Sequence, residues 1–179
     1  ELGKIMETLD GSQPNTFVSV GLGQIRSIKV NIVGEAVAPG TYTLSSLATL
    51  FNALYAAGGV NDIGSLRNIK VYRNSKEIAS LDVYDYLLNG KYETNIRLED
   101  NDMIIIGPYE QLVTAGGKVK RDRTYELRRG ETLADLLDMA GGFTGDAYTG
   151  SIRVKRKAGD RNKIATVNEE QFQTFVLQD

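Results

Sequence analysis

The residues best suited to chemistry are three clustered carboxylates, Glu99, Asp100 and Asp102. Paired carboxylates can act as general acid and base, and carboxylate oxygens suit divalent cations. These acids, however, come directly before an aliphatic run, at positions where aspartate accepts hydrogen bonds from local backbone N–H groups. A turn is therefore the favoured interpretation, ahead of a catalytic or metal site.

Missing residue types narrow the chemistry further. The 179 residues include no histidine and no cysteine. Their absence excludes Ser-His-Asp and Cys-His nucleophile systems, thiol redox chemistry, disulfides, and zinc sites built from histidine or cysteine. We therefore expect a protein that is not an enzyme and that carries no cofactor and no metal.

Glycine-rich stretches suggest a second kind of chemistry, phosphate binding. Gly21-Leu22-Gly23 is followed by Arg26 where a dinucleotide motif needs its third glycine, and no Gly-Lys-Ser/Thr sequence occurs. The pair Gly58-Gly59 follows a helical pattern, where glycine adopts the left-handed conformation that ends a helix. Helix termination is the favoured interpretation.

An acidic and aromatic segment could contact sugars. Tyr84 and Tyr86 offer ring faces for stacking on a sugar, and Asp82 and Asp85 could accept bonds from its hydroxyl groups. The alternative, which we favour, is an amphipathic helix or turn over residues 83–88. Its inward-facing residues would be Val83, Leu87 and Leu88.

Charge is distributed unevenly along the chain. Residues 1–110 contain 9 basic and 13 acidic residues, a net charge of −4, whereas residues 111–179 contain 12 and 10, a net charge of +2. Because the whole chain carries only −2, no nucleic-acid partner is expected. Most basic residues of the C-terminal part fall in two predicted strands and their turns, which suits a solvated sheet face. The alternative is a docking surface for an acidic glycan or for the acidic half of a neighbouring subunit. The candidates for that surface are Lys118, Lys120, Arg153 and Lys155 on the basic side and Glu77, Asp82 and Asp85 on the acidic side.

A repeated unit must position these candidates. Residues 30–73 align with residues 113–156 without a gap, at a constant shift of 83, and 14 of the 44 positions are identical. We therefore predict two copies of one module. The predicted boundaries are an N-terminal extension over 1–27 with a leading strand near Phe17–Leu22, a first module over 28–110 and a second over 111–179.

Periodicity predicts the elements of each copy. Alternating aliphatic and polar residues over 28–32 indicate a strand, and 41–44 completes a hairpin. Helical spacing of leucines predicts main helices over about 48–58 and 132–141. Their predicted N-caps are Thr49 and Thr132, the latter with Asp135 in a capping-box pattern.

The remaining strands define the fold class. They are predicted around 69–71 and 78–81 in the first copy, with a fully buried closing strand over 103–106. This order predicts an α+β fold of two tandem β-grasp modules, each a curved sheet that holds one main helix. The second copy stops at Leu177-Gln178-Asp179, which resembles Leu98-Glu99-Asp100. It therefore lacks its last strand, and we expect the natural protein to continue.

Several segments resemble the soluble-ligand-binding β-grasp (SLBB) domain. In the first copy they are the opening Val33–Tyr42, the helix end Ala56–Val60 and the closing Leu98–Ile106. The second copy repeats the pattern at Gly117–Val119, Tyr125–Leu127 and Ala140–Phe143, and it departs from the pattern where Asp122-Arg123 replaces the Pro-Gly turn. Tandem copies of this domain are typical of the periplasmic parts of Wza-like bacterial polysaccharide export proteins.

The resemblance implies a role in transport. The chain would be a non-enzymatic periplasmic module of a capsule or exopolysaccharide export apparatus, associated with the bacterial outer membrane in the full-length protein. Its implied partners are the polysaccharide, further copies in a homo-oligomeric ring, and an inner-membrane export or copolymerase component. The alternative is a soluble β-grasp protein that binds a small ligand or a glycan.

Overall fold

The computed structural model describes residues 25–158 and 161–177. The leading strand predicted near Phe17–Leu22 lies outside the described residues. The described elements form two modules that follow one another along the chain, each with its own hydrophobic core.

The first module is one five-stranded sheet with a helix against one face. Its elements are β1 (Ser27–Gly34), β2 (Gly40–Ser45), α1 (Leu50–Ala56), β3 (Gly64–Arg73), β4 (Lys76–Leu81), α2 (Val83–Asn89) and β5 (Met103–Pro108). The strand order is β2-β1-β5-β3-β4, so β5 lies between the two hairpins. It runs parallel to β1 and antiparallel to β3. The core therefore depends on β5 to join the two halves of the sheet.

The second module contains two separate two-stranded sheets. Its elements are β6 (Gln111–Ala115), β7 (Arg123–Leu127), α3 (Leu133–Met139), β8 (Ser151–Ala158), β9 (Arg161–Asn168) and a 3₁₀ helix (Glu169–Gln171). Among the described residues, β6 pairs only with β7, and β8 pairs only with β9. The described part of this module thus has no strand between its two hairpins.

The two modules repeat one backbone path at the predicted shift of 83 residues. Ala38 donates its N–H to the carbonyl of Ala57, and Arg121 donates in the same way to Ala140. Both bonds tie the loop after the first strand to the end of the main helix. The structure therefore confirms an α+β fold built from a tandem repeat.

Both main helices begin at the predicted threonines. At α1, the Thr49 N–H donates to Asn52 Oδ1 at 2.9 Å, and at α3, the Thr132 N–H donates to Asp135 Oδ2 at 2.7 Å. Reciprocal bonds complete a capping box at each helix. Paired glycines with φ between 77° and 85° follow each helix, so their predicted role in termination is confirmed.

Strand β5 is not fully buried, contrary to the prediction. Ile104 and Ile106 are buried, but Met103 on the opposite face is 41% exposed. Helix α1 covers only one face of the sheet, so side chains along β5 alternate between core and solvent. An uninterrupted aliphatic run therefore occurs here in a strand with one open face.

The prediction that two leucines of α2 face inward is also wrong. Leu87 is 68% exposed and Leu88 is 39% exposed. The helix packs instead through Val83, which is buried, and Tyr86, whose ring centroid lies 4.3 Å from that of Phe51. A helix of seven residues has only one narrow face to bury against the first core, and Val83 and Tyr86 occupy it, whereas Tyr84 packs against the second module.

Matched leucines in the two helices test how well each core is closed. Leu54 in α1 and Leu137 in α3 are both buried, but Leu137 also lines an open cleft. We expect Leu54→Ala to lower the free energy of unfolding by about 3 kcal/mol and Leu137→Ala by about 2 kcal/mol, since less packing surrounds Leu137. Urea unfolding of both variants measures the difference. If neither variant changed the free energy of unfolding, the helix faces would be misassigned.

Candidate glycan-contact and intermodule surfaces

The basic candidates Arg153 and Lys155 lie on a two-stranded ribbon formed by β8 and β9. In the antiparallel register, Arg153 faces Thr166 and Lys155 faces Ile164. Both basic side chains are exposed, whereas Ile152 and Val154 point to the core of the module. The predicted alternation, aliphatic residues inward and charges outward, is confirmed.

Four more cations extend this ribbon. The complete set, here called the cationic ribbon, is Arg153, Lys155, Arg156, Lys157, Arg161 and Lys163. All six are exposed, and none forms an ion pair with any of the described residues. Unpaired positive charges this close together produce a local positive potential that attracts anions.

The other two basic candidates lie on the loop after β6. Lys118 Nζ forms an ion pair with Asp146 Oδ2 at 2.5 Å, and this bond lowers the pKa of Asp146. Lys120 is exposed and has no ion-pair partner in the described part of the chain. Lys118, Arg153 and Lys155 line one cleft, whereas Lys120 lies outside it. The structure therefore brings three of the four basic candidates together.

That cleft separates β6 from β8 and has a volume of about 770 Å³. Its rim is basic, but its floor is apolar. The floor consists of side chains from β6, α3 and β8 and from the loop after α3: Val113, Ala115, Leu133, Leu137, Phe143 and Val154. An occupant with alternating apolar and polar groups would match both surfaces.

The acidic candidates do not form a comparable surface. Glu77 accepts from Lys70 Nζ at 3.0 Å and from the Tyr72 hydroxyl at 3.2 Å, and the bond from Lys70 lowers the pKa of Glu77. Asp85 accepts from Asn89 Nδ2 at 2.7 Å, which lowers its pKa, and from Lys91 at 3.3 Å. Each of these carboxylates already has a cation from its own module.

Asp82 requires a correction, because it is buried and unavailable to a partner. It is only 7% exposed, and its carboxylate caps α2 by accepting from the backbone N–H groups of Tyr84 and Asp85. Its second oxygen accepts from Arg67 Nε at 2.9 Å and lies 3.0 Å from Arg128 Nη2. Asp82 therefore belongs to a contact within the chain.

Arg67 is the centre of that contact, which joins the two modules. It lies in β3 of the first module and is 8% exposed. Besides Asp82, it binds Glu131 of the second module, with Nη1 2.6 Å from Oε2, and stacks over the Tyr84 ring at 5.3 Å. Burial acts to lower the pKa of Arg67, but its bonds to Glu131 and Asp82 outweigh burial and raise it.

Glu126 strengthens the same joint from the second module. Its carboxylate accepts from the Ser65 hydroxyl and from the Leu66 N–H, the latter at 2.7 Å. Its own N–H donates to the Tyr84 hydroxyl at 3.0 Å, and burial raises the pKa of that tyrosine. Among the described residues, no buried side-chain nitrogen or oxygen lacks a hydrogen-bond partner. The joint is therefore a fully satisfied polar network.

The carboxylates near β5 form the predicted turn. Asp102 is fully buried, and its two oxygens accept from Arg73 Nε and Nη2, each at 2.8 Å. It also accepts from the Glu99 N–H, while Asp100 accepts from the Lys29 N–H. The turn interpretation is confirmed.

Two kinds of feature are absent from residues 25–158 and 161–177. No three acidic side chains there converge in an arrangement that could hold a metal ion. None of the helices found there is both long enough and apolar enough to cross a membrane.

Family profiles match both modules. Profiles of the SLBB domain match residues 28–106 and residues 112–167. The chain belongs to the SLBB-domain family. Two curated sequences from Escherichia coli, both named polysialic acid transport protein KpsD, are each 34% identical to it over 149 residues. The match covers 82% of this chain but only 26% of each relative, so the SLBB modules described here span about a quarter of those proteins.

The intermodule joint is the feature that sequence analysis missed. Arg67 does carry a signal, because it falls in period-two register with Ile69 and Val71 on the buried face of β3. Glu126 carries no such signal, because alternation with Tyr125 and Leu127 in β7 of the second SLBB module predicts that it faces solvent, yet it is buried. A charged residue at a buried strand position needs a partner, which points to a buried ion pair. Of the two partners of Arg67, Asp82 is 15 positions away in sequence, but Glu131 of the other module is 64 positions away.

Proposed function

We propose that the chain is the periplasmic, tandem-SLBB part of a capsule polysaccharide export protein that acts at the bacterial outer membrane without catalysis. The observation that carries the proposal is its 34% identity to proteins named for polysialic acid transport, over both modules. Polysialic acid is a polyanion, and the cationic ribbon offers six exposed positive charges that form no ion pair with the described residues. The proposed cargo is therefore an anionic polysaccharide.

The ribbon suits a polymer that must move. Exposed charge contacts are individually worth about 0–1 kcal/mol and are screened by salt. Several such contacts attract a polyanion, yet each breaks easily as the chain slides past. The ribbon would thus raise the local concentration of polymer without holding it in one register.

The joint around Arg67 supports a role in assembly. We propose that the full-length protein forms a homo-oligomeric ring and contacts an inner-membrane export component. In a ring, each subunit contacts its two neighbours through two different faces. The two modules must therefore keep a fixed orientation relative to each other. The buried network of Arg67, Asp82, Glu126 and Glu131 supplies that fixed orientation between the modules.

The cleft favours one alternative function. A volume of about 770 Å³ with an apolar floor could hold a small ligand, as in a soluble binding protein. A monomer that binds one preferred small molecule, and does not bind polyanions, would support this alternative.

Charge reversal on the ribbon tests the proposed cargo. We expect Arg153→Glu with Lys155→Glu to weaken binding to polysialic acid about tenfold at low salt, because two attractive contacts become repulsive. Isothermal titration calorimetry with polysialic acid measures the change in affinity. Since the chain has no histidine, the affinity of the unaltered protein should stay constant between about pH 5.5 and 8.

The matched control is Lys29→Glu with Lys76→Glu, which makes the same change in net charge on exposed strand positions of the first module. This control loses the same amount of positive charge but leaves the ribbon intact. Its affinity for polysialic acid should therefore stay within about twofold of that of the unaltered protein. Uncharged dextran should bind none of the variants. Equal affinity in both double variants would mean that the ribbon is only a solvated face.

A further inference from the structure

The cleft between β6 and β8 occupies the place that a strand fills in the first module. There, β1 and β3 both pair with β5, which lies between them. Strands β6 and β8 overlap the positions equivalent to those two strands at the shift of 83, yet each is paired on one edge only within the described residues. Two unpaired edges therefore face each other across the cleft.

Contacts beside the cleft show that the two modules are equivalent there. The isolated bridge between Ala36 and Val60 in the first module recurs, at a shift of 83, as the bridge between Val119 and Phe143. Both bridges tie the end of the first strand to the loop after the main helix. The walls of the cleft thus already have the arrangement that surrounds β5.

A pair of equivalent glycines marks the missing strand. Gly34 has φ +84°, and a Cβ atom at that position would collide with the Ile106 carbonyl oxygen of β5. Gly117 has φ +89°, but a Cβ atom there would meet nothing within 4 Å. The same backbone conformation is thus kept where the strand that packs against it is absent.

The path of the chain leads into the cleft. In the first module, Arg97 bridges to Thr49 and the Leu98 N–H donates to Ala48, five residues before β5 starts at Met103. In the second module, Val176 bridges to Thr132 and the Leu177 N–H donates to Glu131. Leu177 also lines the cleft. The backbone therefore reaches the point from which the first module turns into its central strand.

We propose that this cleft is a strand-acceptor site and that its occupant is the polypeptide segment following Asp179 in the longer protein. The segment would run parallel to β6 and antiparallel to β8, and it would start about three residues after Asp179, by the spacing from Leu98 to Met103. It joins the two hairpins into one five-stranded sheet. The inference goes beyond the proposed function and does not depend on it.

The first module specifies the register of this strand. Ile104 lies between Ile32 and Val71, and Ile106 lies between Gly34 and Ile69. Shifted by 83, the second and fourth residues of the incoming strand face inward, at Ala115 and Val154 and then at Gly117 and Ile152. The first and third residues face outward, beside Lys155 and Arg153. Inward residues must be aliphatic, whereas outward residues tolerate charge.

The experiment extends the chain beyond Asp179 by a copy of its own strand sequence, Asn101–Pro108. This extension keeps the spacing of the first module. We expect it to raise the melting temperature of the chain by about 10 °C, because two isoleucines become buried and two strand edges become paired. Amide exchange at Thr114 and Lys118 should slow at least about tenfold, since the equivalent amides of Asn31 and Glu35 donate to Asp102 and Ile106.

Two matched variants of the extension separate strand insertion from a general effect of added residues. One places aspartate at both inward positions, the copies of Ile104 and Ile106. The other places aspartate at both outward positions, the copies of Met103 and Ile105. The inward variant should lose the whole stabilisation, and the outward variant should keep it, because its carboxylates lie beside Arg153 and Lys155.

Four results would overturn the proposal. The first is equal stabilisation by both aspartate variants, and the second is unchanged exchange at Thr114 and Lys118. The third is an unextended chain that sediments as a dimer and becomes monomeric on extension, which would assign the cleft to a second copy. Extension by the ten natural residues that follow Asp179 should reproduce the stabilisation, and no effect from them would also contradict the assignment. None of these results bears on polyanion binding by the ribbon.

Discussion

Replacing Arg67 with alanine is expected to lower the free energy of unfolding by about 3–5 kcal/mol and to uncouple the two modules. The guanidinium is nearly inaccessible and binds Asp82 in its own module and Glu131 in the other. Its removal leaves the buried carboxylate of Asp82 and the partly buried carboxylate of Glu131 without the guanidinium that joins them. Breaking one side of a buried ion pair costs more than the pair contributes, because the remaining charge stays desolvated.

Loss of coupling between the two modules can be measured separately from the loss of stability. In the unaltered chain we expect the two modules to tumble as one body and to melt together. In Arg67→Ala we expect two calorimetric transitions and a shorter rotational correlation time for each module, measured by NMR relaxation. Other contacts across the joint remain, namely those of Glu126 with Ser65, Leu66 and Tyr84 and that of Arg128 with Asp82. We expect them not to hold the orientation once the buried guanidinium is gone.

Arg73 supplies the matched control. It also binds a buried carboxylate, Asp102, through two hydrogen bonds, but both partners belong to the first module. Arg73→Ala should therefore destabilise the first module and leave the tumbling of the pair unchanged. Arg67→Ala that behaves like Arg73→Ala in relaxation would show that the joint does not fix the orientation of the modules.

Most of the local structure follows from the sequence, because neighbouring residues determine it. The alternation over residues 28–32 gives β1, and the threonine caps and paired glycines fix both ends of α1 and α3. The shift of 83 then transfers the assignments of residues 30–73 to residues 113–156. Such features depend on residues within one turn of helix or one strand, so a single sequence contains the information.

The candidate surfaces were harder to predict because they depend on distant partners. A count of charges over residues 1–110 treats Asp82 as a surface charge, but Arg67 of β3 and Arg128, directly after β7, surround it. Likewise, an aliphatic run at 103–106 does not show which of its faces α1 covers. The cations Arg153 and Lys155 were placed correctly because alternation alone determines which face of a strand they occupy.

Alanine at Gly34 should be one of the most damaging single substitutions in the first module. The position combines a positive φ with a carbonyl of the neighbouring strand where a Cβ atom would lie. Strain from the left-handed backbone costs about 1–2 kcal/mol, and the collision with a backbone oxygen forces β1 away from β5. We expect Gly34→Ala to lower the free energy of unfolding by about 4 kcal/mol or more, measured by urea unfolding.

Gly117→Ala is the matched substitution in the second module, and it should cost only about 1–2 kcal/mol in the unextended chain. The backbone strain is the same, since φ is +89°, but no atom lies near the added methyl group. The difference between the two variants therefore isolates the contact with a central strand. If the segment after Asp179 fills the cleft, Gly117→Ala should become as costly as Gly34→Ala once the chain is extended, because a carbonyl of the new strand then occupies that space. A cost at Gly117 that does not change on extension would contradict strand insertion at this position.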